Sequence, residues 1–197
     1  VTVSNYDYIT LVKEAIQNAK EGKLIALTPT GADLVIATGY VNSDGELEEV
    51  VLDMLQGKVD STSNNFVWNE LTKNELGYEY KMHYYTYAAV VGYENATMEG
   101  YTEWLKENNK LEWFEQAQLI ADAWLKDNSL STNNGKFDTV AGVTISDALY
   151  LDTLNKLKAY TESNRVYKAD GTYLAYLLHH SLLVNNYLNL LLAQRVV

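Results

Sequence analysis

Cysteine is absent from the 197 residues. That excludes disulfides, thiolate metal sites and thiol nucleophiles. Positive charge is scarce: 15 lysines and arginines stand against 26 aspartates and glutamates, a net charge of −11. Such a chain repels phosphodiester backbones, so nucleic acid is not an expected partner, and the same repulsion acts at an anionic membrane surface. No hydrolase motif, phosphate-binding loop or dinucleotide fingerprint occurs; Gly39, Gly45 and Gly57 are too scattered for the last. His83, His179 and His180 lack carboxylate–histidine spacing, so no metal site is expected. Proline occurs once.

What is present reads as globular, with 47% hydrophobic and 21% charged residues. The length suits one full core, or one domain with an appendage. Tyrosine is abundant, at 16. Its ring buries while its hydroxyl stays wet, which suits contacts with sugars, flavins or proteins.

Residues 5–21 carry Ile9, Val12, Ile16 and Ala19 at helical spacing, closed by Gly22. Leu24–Leu27 and Asp33–Val41 are rich in Val, Ile and Thr and read as strands. The turn cluster 42–45 predicts that Glu46–Leu55 pairs back as a hairpin. A loop is expected over 57–65, a helix over Phe66–Leu76 ending at Gly77, and a strand over Tyr80–Gly92. Helices are expected over Met98–Asn108 and Leu111–Asn128, then a loop with the turn signal Asn133-Asn134-Gly135. From Leu174 to Gln194 no residue is formally charged. His179, His180, Asn185, Asn186 and Asn189 argue against a membrane span. Leu177, Leu178, Leu182, Leu188, Leu191 and Leu192 can line an apolar helix face instead.

Asp138-Thr139-Val140-Ala141-Gly142-Val143-Thr144-Ile145-Ser146 places a glycine and the hydroxyls of Thr144 and Ser146 before a helix expected over Asp147–Tyr160. Thr144 and Ser146, two apart, face the same way in an extended segment. Gly142 permits a positive φ or a close backbone approach. A helix N-terminus offers unpaired N–H groups and partial positive charge, a seat for a phosphate, with Lys136 as a nearby cation. The plain alternative is that Ser146 is an N-cap. Asp138 suits an Asx-turn holding the loop through backbone N–H groups.

This stretch resembles the Asp-x-x-Ser/Ala-Gly-Ala-Thr/Ser-x-Thr/Ser signature of the FMN-binding domain family. That family comprises covalently flavinylated electron-transfer domains of exported bacterial lipoproteins and of quinone reductase subunits. Thr72-Lys73-Asn74-Glu75-Leu76-Gly77 with Tyr80 and Met82 is similar to a second family segment, and Trp113 with Gln116-Ala117 to a third. Order and spacing are kept across roughly residues 30–160. The resemblance implies FMN joined through its phosphate to Ser146 by a separate flavin transferase. It further implies Thr144, Val143, Gly142, Ala141 and Asp138 as site support, and Tyr80 and Met82 near the flavin ring. The chain departs from the family at Val143, Ser146, Asp147, Tyr78 and Lys81.

The expectation is an α+β domain over residues 1–165, an antiparallel sheet packed with helices. A C-terminal helical appendage over 166–197 would pack on the domain or on a second copy, as a homodimer. The resemblance implies a redox carrier rather than a stand-alone enzyme, fed by a membrane dehydrogenase or quinone-linked donor. It implies an extracellular or cell-surface location. Val1–Ser4 does not read as a signal peptide, so the leader or lipid-anchor cysteine would have been trimmed. The alternative is a flavin-free surface binding module that keeps the fold.

Overall fold

Alternation of buried and half-buried residues along β1 (Lys23–Thr30), β2 (Asp33–Val41) and β3 (Leu47–Val59) builds an antiparallel meander. A short β4 (Phe66–Trp68) completes the order β1-β2-β3-β4. The structure is a computed structural model and describes residues 5–42, 44–127 and 129–164. The chain is α+β, as its sequence suggests. The residue 166–197 appendage, with its leucines, His179 and His180, lies outside the described residues.

Register sets which side chains share a face. Ala26 pairs with Ala37 and Ala37 with Leu52, while Thr28, Val35 and Met54 form the next row. These rows are buried beneath two helices, α5 (Trp113–Lys126) on β3 and α6 (Tyr150–Asn164) on β1 and β2. Ile120, Ala121, Trp124, Leu154 and Leu157 fill the space between. Gly39 lets α6 approach: a Cβ there would stand 2.9 Å from Leu157 Cδ2 and 2.6 Å from Leu47 Cδ2. The first hairpin turns at Gly31-Ala32. In the second, Asn42 Oδ1 accepts the N–H groups of Asp44 at 2.8 Å and Glu46 at 3.0 Å.

Several elements differ from the sequence expectation. The expected helix over 66–76 is the strand β4 followed by one turn, α2 (Lys73–Leu76). Thr72 and Glu75 cap that turn reciprocally, at 3.2 and 2.7 Å, which is the Thr-x-x-Glu capping box. The expected strand over 80–92 is a 3-10 turn, Gly77–Tyr80, and a helix, α3 (Tyr84–Val91). Its aromatic and β-branched content mimics a strand. The residues instead bury Tyr87 against Tyr101 and Leu105 of α4 (Met98–Glu107) in a second, smaller core. The first helix, α1 (Asn5–Lys20), forms as expected, but Ala15 and Ala19 are its buried residues; Ile9 and Val12 are 52% and 41% exposed. Among the described residues no helix is long and apolar enough to cross a membrane.

Candidate functional site

The three segments that carry the family resemblance meet at one buried side chain, Gln116 of α5. Its Oε1 accepts the backbone N–H groups of Thr144 at 2.7 Å and Ile145 at 3.1 Å, and the Thr144 hydroxyl at 3.2 Å. Its Nε2 donates to Leu111 O at 2.8 Å and lies 3.7 Å from Met82 Sδ. Glu112, fully buried one turn earlier, ties the start of α5 to Met82 and to α4. Its carboxylate accepts Met82 N at 2.9 Å, Trp113 N at 3.1 Å and the Tyr101 hydroxyl. A buried carboxylate is tolerable only with such a set of donors.

Tyr80 and Met82 are half-buried against the main core. Tyr80 forms one wall of an aromatic cage: the Lys73 ammonium lies 4.7 Å from its ring centre and 4.8 Å from that of Trp113. Lys73 is only 6% exposed, and among the described residues these rings are its partners. Trp113 Nε1 in turn donates to the Tyr150 hydroxyl at 3.3 Å. Burial, first of all, pushes that hydroxyl up to about 12. Neither Glu112 nor the Lys73 cage was legible in the sequence. Both are charged residues in the core, which periodicity assigns to the surface.

The signature loop alternates. Val143 and Ile145 pack inward on the core, while Ala141, Gly142, Thr144 and Ser146 are exposed. The bulk that Val143 adds relative to the family is thus spent on the core rather than on the exposed side. Gly142 has a φ of +85°, and a Cβ there would stand 3.0 Å from Leu111 Cδ1 and 3.5 Å from Leu119 Cδ1. The Ser146 hydroxyl has no hydrogen-bond partner among the described residues. Asn134 and Gly135, at φ +50° and +73°, turn the chain so that Lys136 pairs antiparallel with Ser146. Paired residues hold their Cβ atoms about 4.5–5.5 Å apart, so Lys136 and Ser146 share a face. Lys136 has no ion pair among the described residues.

Two expectations about this loop are corrected. Ser146 does not stand at a helix mouth. The helix α6 begins at Tyr150, after Leu149 at φ +69°, and Asp147 Oδ1 takes its first N–H groups, Tyr150 at 2.7 Å and Leu151 at 3.4 Å. The N-terminal charge is therefore neutralised from within. Asp138 forms no Asx-turn; its Oδ2 accepts from the Asn133 side chain at 3.3 Å.

Beside the loop, Asn74, Phe114, Glu115, Gln118, Leu119 and Asp122 line a cleft of about 400 Å³. Asn74 Oδ1, closed off from solvent, is without a hydrogen-bond partner among the described residues. An orphan acceptor of that kind costs about 1–3 kcal/mol until something donates to it. His83 accounts for itself structurally, its Nε2 lying 3.2 Å from Leu111 O. Among the described residues no cluster of potential metal ligands occurs. No family model matches the chain, and neither a curated protein nor a solved structure matches it.

Proposed function

We propose that the protein is an exported carrier of one FMN, linked by a phosphoester to Ser146 and serving electron transfer at or outside the membrane. One observation carries this reading. The three separated segments that resemble the FMN-binding family converge on Gln116, which links Met82 to Thr144 and Ile145. The residues around the loop fit the cofactor. Ser146 offers an exposed, unbonded hydroxyl, and Lys136 on the same face supplies a cation for a phosphate.

When bound, FMN supplies the one- and two-electron chemistry. The chain's own residues position it. Gln116 fixes the loop backbone so that the Ser146 hydroxyl faces outward, accessible to a flavin transferase. Lys136 balances the phosphate charge that an acidic chain otherwise repels. A membrane dehydrogenase or quinone-linked protein would be the electron donor. Co-expression with a flavin transferase tests this. The purified protein should be yellow, and Ser146→Ala should be colourless with an unchanged far-UV spectrum. A Ser146→Ala protein that keeps its flavin would place the linkage elsewhere.

A second reading, a flavin-free surface binding module, is favoured by the exposed aromatic pair Tyr85 and Tyr93. Their rings lie 5.6 Å apart and are 77% and 58% exposed. A protein that stays colourless beside an active transferase supports this module.

A further inference from the structure

The apolar stripe of α1 runs past the part of the domain that covers it. In the second half of the helix Ala15 and Ala19 are buried, and Ala19 shares the main core with Leu24 of β1 and Leu157 of α6. In the first half Tyr8, Ile9 and Val12 lie within about 100° of one another around the helix axis, on the side that Ala15 and Ala19 continue. All three are exposed, and among the described residues none packs on either core. Three apolar neighbours on one stripe form a patch, which single exposed residues do not.

The same chain supplies a cover within reach. Leu157 stands against Gly39, whose ladder partner Leu24 lies in the same cluster as the last turn of α1. Asn164, the end of α6, follows seven residues later, about 10 Å along the helix. Residues 165–173 can then span up to about 30 Å, against about 24 Å for the whole of α1. Beyond them, residues 174–194 carry no formal charge and include Leu177, Leu178, Leu182, Leu188, Leu191 and Leu192. Their flanks are basic, with Arg165, Lys168 and Arg195 against Asp170 alone, in a chain of net charge −11. Attraction and tethering both favour a contact within one chain. A second copy finds less, because three side chains fall far short of the roughly 800 Å² per partner of a stable dimer.

We infer that residues 174–194 dock on α1 of the same chain, their leucines covering Tyr8, Ile9 and Val12. This is independent of the flavin reading.

The absence of cysteine allows a clean test on the full chain. Spin labels go on Lys13→Cys, beside the patch, and on Asn185→Cys, in the segment. The pair should give one narrow distance, unchanged when the labelled protein is diluted into excess unlabelled protein. The amides of 177–192 should resist hydrogen exchange. Ile9→Glu with Val12→Glu should broaden the distance and remove that protection, while the amides of β2 stay protected and report an intact domain. A broad distance in the parent, with 177–192 unprotected, overturns the docking. A narrow distance that the paired substitution leaves unchanged places the segment elsewhere and overturns it too. A distance that vanishes on dilution overturns it in favour of a second copy.

Discussion

Gln116 Oε1 holds the Thr144 N–H at 2.7 Å, across 28 positions of sequence. The contact joins the middle of α5 to a loop that is also held by its inward-facing apolar residues and by the pairing of Lys136 with Ser146. Replacing Gln116 with leucine keeps the volume and removes the acceptor. Thr144 N and Ile145 N then lose their partner, at a cost of about 1–3 kcal/mol. Denaturant unfolding should show that loss, and hydrogen exchange should show faster exchange at Thr144 and Ile145 while the amides of β2 stay protected. Unchanged exchange at both positions would show that the apolar anchors alone order the loop.

Lys136 should matter to flavin attachment and not to stability. It is exposed, so Lys136→Ala should alter folding by less than about 0.5 kcal/mol. A lysine about 4 Å from a phosphate contributes about 1 kcal/mol in water, roughly fivefold in a rate or an affinity. The rate of transferase labelling should therefore fall by about that factor, and more at low salt than at high salt. A rate that does not respond would separate the bridge from the phosphate.

Alkaline pH should weaken the core at Tyr150. Its hydroxyl is buried beneath Trp113, and burial pushes it up to about 12, against about 10 for a free tyrosine. A raised value of this kind favours the protonated, folded form. The contribution is complete below about pH 10, where both states hold the proton, and is lost as pH rises through about 12. The loss is on the order of 2–3 kcal/mol. Thermal unfolding of Tyr150→Phe should consequently decline less steeply over that window than the parent, whatever its stability at neutral pH. Parallel declines would assign the alkaline loss to other tyrosines.

Local chemistry made much of the fold legible. The turn at 42–45, the helix break at Asn108-Asn109 and the Asn133-Asn134-Gly135 turn each depend on residues that act on their immediate neighbours. The segment 80–91 was misread because strand propensity mostly reports half-buried packing. Tyr87 found that packing on a helix, through contact with Tyr101, 14 positions away. Asp147 stands in the sequence as a departure from the family pattern and as the expected first residue of the helix. In the fold it is the cap of α6, displaced three residues from the expected start by the left-handed Leu149. The resemblance marked Gln116 and Met82 as members of matched segments. Their joint purpose emerged only when the loop, α5 and the 3-10 turn were brought together.

The central claim is that Ser146 carries one FMN, and the most direct test is the mass of the denatured chain after co-expression with a flavin transferase, followed by mapping of the modified peptide. The account predicts an added mass of one FMN less water, confined to the peptide that contains Ser146 and lost in Ser146→Ala but not in Thr144→Ala. An unmodified mass, beside a control substrate that the same transferase labels, would contradict it.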